Sequence, residues 1–128
     1  SKEKRETYTM SEEELQMLTE TFTNDYVQQD ESKLRKETPV FSGVLKYFPD
    51  AIAEVAKCSF VGQQQHNPDK PLAWDRSKSG DEYDALMRHL MDSTIDDYDT
   101  DGTLHLAKVA WRGLAGLQKH LEKMRNEK

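Results

Sequence analysis

Apolar residues recur at helical spacing in four segments of this chain, each bounded by start or stop signals. Ser11 and Glu14 form an S-x-x-E capping box, and Leu15, Leu18 and Phe22 follow at i, i+3 and i+7. This pattern predicts a helix from Ser11 to about Thr23. Asn24 to Glu37 is polar, with a short helix expected at Ser32 to Lys36, and Pro39 breaks the run. Pro49 opens a second helix, to about Gly62, because its missing N–H is unpaired in a first turn anyway. Projected at about 100° per residue, Asp50, Glu54 and Lys57 share one narrow seam, and the rest is largely apolar. The helix is therefore expected to be buried nearly all round, its seam being either the exposed side or the lining of a site.

Ser79 and Glu82 form a second capping box and open a third helix. Tyr83, Leu86, Met87, Leu90 and Met91 make its expected core face. Asp81, Asp84, Arg88 and Asp92 lie opposite, with His89 on the flank. The segment Ile95 to Gly102, IDDYDTDG, reads as an aspartate-type turn ending at the glycine. It is not an EF-hand loop, since Lys108 stands where the bidentate glutamate is required. A last helix is expected from about Thr103 to Met124, with Leu106, Ala107, Ala110, Leu114, Leu117 and Leu121 as its core arc. His105, Lys108, Arg112 and Lys119 lie opposite, interrupted by Ala115 and Gly116. That face is either solvated or closely approached by another element at the small residues.

The fold expected is all-α, a single-domain bundle of four to five helices with a long functional loop. The loop is His66 to Ser79, HNPDKPLAWDRSKS, longer than most structureless connections in compact domains. Composition narrows the function. Hydrophobic and charged residues make up 35% and 33% of the 128, a polar balance that implies a modest core supplemented by a disordered end or a subunit interface, the homo-oligomer being one expectation. A net charge of −6 argues against duplex nucleic acid, and no run of apolar residues is long enough to span a membrane. The start SKEKRETYTM lacks the apolar region of a secretory signal. The single cysteine, Cys58, rules out an internal disulfide and fits a reducing cytosol, as a small buried hydrophobe.

No nucleophile elbow, phosphate-binding glycine loop, zinc-type cysteine pair or dinucleotide fingerprint is present. What remains is polar seams on three helices: Asp50 and Glu54; Asp81, Asp84 and Asp92; His105, Lys108 and Arg112. Facing one another, they could hold a hard cation through carboxylate oxygens, with Arg76 and Lys78 of the loop on phosphates. That arrangement suits magnesium-assisted nucleotide hydrolysis, with a carboxylate or His89 as base. Trp74 either stacks on a base or anchors the loop in the core.

Three stretches, RKETPVFSGVLKYFPDAIAEVAKCS, GQQQHNPDKPLAWDRSKSGDEYDALMRHLMD and DTDGTLHLAKVAWRGLAGLQ, resemble the phage-associated family of dATP/dGTP diphosphohydrolase N-terminal domains, over Arg35 to Leu121. Departures are Gln63 and Asp69, where the family has asparagine and glycine, and Glu82, where it has histidine. The resemblance implies a phage protein acting on purine deoxynucleotides in the cytoplasm of an infected host. It also implies a fold related to the all-α MazG-type pyrophosphohydrolases, which use magnesium bound by helical carboxylates.

Together these give a charged N-terminal extension with one helix over residues 1–34 and an all-α nucleotide-binding domain over 35–125. The leading expectation is a hydrolase of purine deoxynucleoside triphosphates. Glu54, Asp81 and Asp84 are expected to hold Mg2+ or another divalent cation, and Glu54, Asp84, His89 and His105 to perform the chemistry. His66, Asn67, Trp74, Arg76, Lys78, Lys108 and Arg112 are expected to bind the nucleotide. The rivals are a non-catalytic nucleotide sponge and an anti-defence module docking on a host protein through its N-terminal helix.

Overall fold

A computed structural model describes residues 9–78 and 80–127, apart from the side chains of residues 18–29 and of Lys78. The second capping box, through Ser79, and the stripe positions Leu18 and Phe22 therefore lie outside the described residues. The structure is all-α. Its four long helices are α1 (Glu12–Glu37), α2 (Pro49–His66), α3 (Glu82–Ser93) and α4 (His105–Asn126), with a π-helical turn at Phe41–Leu45 and a 3-10 turn at Arg76–Lys78. The chain divides into two compact units, Ser1–Val44 and Leu45–Lys128, and residue 34, the expected end of the extension, falls inside α1.

In the first unit, Ser11 caps α1 by accepting a hydrogen bond from the Glu14 amide at 3.1 Å. Glu12, Glu13 and Glu14 at the start, with Arg35 and Lys36 at the end, complement the helix dipole. The helix runs through Asn24 to Glu37, where a polar break with a short separate helix was expected. No glycine or proline lies between Ser11 and Thr38, and Glu, Gln, Lys and Arg are good helix formers without a core to face. Thr38, which precedes Pro39 and takes a non-helical conformation with φ −121° and ψ 63°, ends it.

The second unit is built around α4, which packs on both α3 and α2. Here the expected faces are turned. No residue of α2 is fully buried, and Ala51, Ala53, Ala56 and Phe60 are exposed, so this helix is not enclosed as its apolar composition suggested. On α3 the buried arc is Glu82 and Ala85, with Leu86 and His89 half-buried, whereas Tyr83, Met87, Leu90 and Met91 are exposed. On α4 the buried residues are His105, Ala107, Ala115 and Gly116, while Leu106, Leu114, Leu117 and Leu121 of the expected core arc stand in solvent, Leu117 at 54% exposure.

The physical reason is close approach. A Cβ added at Gly116 would lie 3.0 Å from the Tyr83 ring, tighter than ordinary contact, so α3 meets α4 along its small residues. A face of leucines would hold the axes farther apart. Approach at alanine and glycine instead draws the neighbouring polar side chains of α4 inward, the second of the two readings of that face. Among the described residues the fully buried apolar side chains are Ala85, Ala107 and Ala115.

The acidic turn forms as expected. Gly102 takes a φ of 84°, its amide donates to the Asp99 carbonyl at 3.0 Å, and the Asp99 amide donates to the Thr103 carbonyl at 2.8 Å.

Candidate functional site

A cavity of about 770 Å³ opens in the second unit between the C-terminal half of α2, the loop that follows it, His89 of α3 and the first half of α4. Gln63 shapes the loop. Its Nε2 donates to the Asn67 and Lys70 carbonyls at 2.6 and 3.1 Å, and its Oε1 accepts from the Ala73 amide at 3.3 Å. One amide side chain thus ties together three backbone groups of the loop, of which the Asn67 carbonyl also accepts from the Lys70 amide at 3.2 Å. Asp75 closes the next turn by accepting from the Ser77 amide and hydroxyl at 3.1 and 2.6 Å.

Between these anchors Trp74 meets Trp111 edge to face, with centroids 5.6 Å apart. Trp111 donates its indole N–H to Ser59 Oγ at 2.8 Å. Trp74 does not: its Nε1 is buried with no hydrogen-bond partner among the described residues. Arg76 stacks its guanidinium 4.3 Å from the Trp74 ring and pairs with Glu122.

The opposite wall rests on the acidic turn. Lys108 donates to Asp99 Oδ2 at 2.5 Å and to Asp101 Oδ2 at 2.6 Å. Thr103 fixes Asp101 further, its amide and hydroxyl donating to Oδ1 at 3.0 and 2.6 Å. Burial disfavours the charge on Asp101, but Lys108 and Thr103 outweigh it and hold the carboxyl at about 2. Beside this pair, His89 Nδ1 faces His105 Nδ1 at 3.1 Å. Burial, reinforced by Lys108, pushes the His89 imidazolium below its ordinary range, so the ring is held neutral. His105 is 6% exposed.

Arg112, deeper along α4, donates to Glu82 Oε1 at 2.9 Å, and Lys119 donates to Glu82 Oε2 at 3.1 Å. Glu82, the first residue of α3, is 4% exposed, with its carboxylate held by Arg112 and Lys119 of α4.

Of the residues expected to bind nucleotide, His66, Asn67, Trp74, Lys108 and Arg112 line the cavity, and His89 joins them. His105 reaches the site through His89. Arg76 is engaged outside the lining, and the Lys78 side chain lies outside the described residues. Glu54 pairs with Lys57 at 3.3 Å, Asp81 with Arg88 at 3.0 Å, and Asp84 is exposed. These three carboxylates do not gather into a common ligand set among the described residues, so they do not fit a magnesium ion bound by all three. Gln63, Asp99 and Asp101 are site residues to which no site role was assigned from sequence. Gln63 looked like a departure from the family pattern, and Asp99 and Asp101 looked like turn formers.

No curated protein and no solved structure matches the chain. A family model described as dATP/dGTP diphosphohydrolase, N-terminal, matches residues 24–128, which include α2, the loop, α3 and α4. The chain, with its cavity lying wholly inside the matched region, belongs to the dATP/dGTP diphosphohydrolase N-terminal family.

Proposed function

We propose that the cavity between Trp74 and the acidic turn takes a purine deoxynucleoside triphosphate and that the protein hydrolyses it with a divalent cation, in the cytoplasm of a phage-infected cell. The observation that carries this reading is the unpartnered Trp74 indole N–H, beside an aromatic pair, in a cavity whose volume suits a nucleotide. A purine offers ring-nitrogen acceptors to such a donor and a π-face to the rings. Phosphates would meet Lys108 and Arg112, but both are already neutralised by Asp99, Asp101 and Glu82. A triphosphate therefore needs its charge compensated from elsewhere, which is the physical case for the cation. No step is assigned to Glu54, Asp81 or Asp84, which stand apart.

The same neutralised cations favour a second reading, a nucleotide sponge without turnover. Incubation with a panel of deoxynucleoside triphosphates and magnesium or manganese, with products separated by chromatography, decides between them. Diphosphate or phosphate released from dATP or dGTP supports hydrolysis, and an intact nucleotide retained without products supports the sponge. Under either reading Trp74→Ala weakens binding of dGTP by at least about tenfold, the loss of one base stack. Unchanged affinity in a folded variant would remove the nucleotide from this cavity.

The reading includes a homo-oligomer. A unit whose fully buried apolar side chains, among the described residues, are three alanines leaves its hydrophobic burial unfinished. The exposed leucines of α4 form a stripe that can pair with its own copy across a two-fold axis. Leu114→Asp combined with Leu117→Asp should convert the oligomer to monomers in light scattering. A wild-type monomer at micromolar concentration would show that this face is not a subunit contact.

A further inference from the structure

Beyond the nucleotide reading, and independently of it, we propose that His89, Asp99 and His105 form a binding site for a divalent transition-metal ion of borderline softness, such as Zn2+ or Co2+, in the wall of the cavity. Each of the three side chains offers one ligand atom, and these atoms all lie within 4.8 Å of one another. The two imidazole nitrogens are 3.1 Å apart. Two nitrogens bound tetrahedrally to one zinc-like ion, each at about 2.0–2.1 Å, would be separated by about 3.3 Å. The observed spacing needs almost no adjustment. The rings are tilted by 35° with centroids 5.3 Å apart, so they converge on their Nδ1 atoms and do not stack.

The three ligands come from three parts of the chain: the middle of α3, the acidic turn and the first residue of α4. The close packing of α3 on α4 and the left-handed turn at Gly102 are what bring them together. The set is two imidazoles and one carboxylate, the pattern of many metal centres that keep open positions. Magnesium prefers an all-oxygen octahedron and is poorly served by it. Lys108 does not exclude an ion. A carboxylate offers about four lone-pair sites, and on Asp99 Lys108 takes one at Oδ2 while Thr100 donates to Oδ1 at 2.7 Å. Asp101 then serves as the outer carboxylate that neutralises Lys108. With an ion bound, both Nδ1 lone pairs face the metal and any proton between the rings moves to Nε2 or to solvent, so the pair acts as ligands and not as a base. Because His89 lines the cavity, the ion sits at its wall.

The test uses the full chain, stripped of metal with a chelator, nucleotide-free, and titrated with Co2+ followed by visible absorption, with Zn2+ as competitor. One Co2+ per chain is expected, displaced by Zn2+ but not by a large excess of Mg2+. His89→Gln and Asp99→Asn should each weaken Co2+ binding by at least about tenfold, with an unchanged circular dichroism spectrum, and His66→Gln should leave it intact. His105 is buried and its variants can misfold, so the half-buried His89 decides the matter. No saturable Co2+ binding, equal binding by His89→Gln, or displacement by Mg2+ as readily as by Zn2+ would each overturn the site. Failure here would leave the nucleotide reading standing, since no nucleotide is present.

Discussion

Glu82→Ala should lower the unfolding free energy of the protein by about 3–5 kcal/mol, as expected when one partner of a buried charge network is removed. Glu82 is buried at the start of α3 and accepts from Arg112 and Lys119 on α4. Its loss leaves two partly buried cations of α4 without the carboxylate that they share. Asp84→Ala, two residues on and exposed, should stay within about 0.5 kcal/mol. Urea unfolding followed by far-ultraviolet circular dichroism separates these outcomes, and equal midpoints for the two variants would show that Glu82 is not the linchpin of α3 on α4. Arg112 is among the residues expected from the sequence to bind the nucleotide. Its bond to Glu82 makes it structural, and Arg112→Ala should also shift the midpoint downward.

Lys108→Met should cost about 2–4 kcal/mol, because Asp99 and Asp101 are left as two neighbouring carboxylates without their cation. The Asp101 side chain is only 12% exposed, so water replaces the lost ammonium incompletely. The double variant Lys108→Met with Asp101→Asn should recover part of the loss, since one of the like charges is gone, giving a coupling energy of about 1 kcal/mol or more. If Lys108 were held in reserve for phosphate alone, the single variant would unfold like the wild type and lose only nucleotide. Coupling near zero would carry the same message.

The two variants concern residues whose roles were hard to read for one reason. Periodicity identifies which residues share a helix face, but not which face a neighbour approaches. On α4 the leucine arc and the polar arc were both legible, and the leucines had the stronger claim to the core by hydrophobicity. The small residues Ala115 and Gly116, noted as an interruption of the polar face, outweighed them, because helices pack most closely where side chains are smallest. Lys108, standing at the position where a calcium loop needs glutamate, spoke against calcium; that its ammonium lies between Asp99 and Asp101 was not legible in the spacing. His89, on the flank of both expected faces of α3, could not be placed by periodicity at all.

By itself the sequence determined the local elements: the cap at Ser11, the proline starts and stops, the turn at Gly102, the all-α class and a long loop carrying Trp74. These depend on interactions a few residues apart, which spacing records. The tertiary structure alone decided that Gln63 ties the loop, that Glu82 is enclosed by Arg112 and Lys119, and that His89, Asp99 and His105 converge. Each joins residues through the packing of separate segments, and no periodicity along one helix encodes the distance to another.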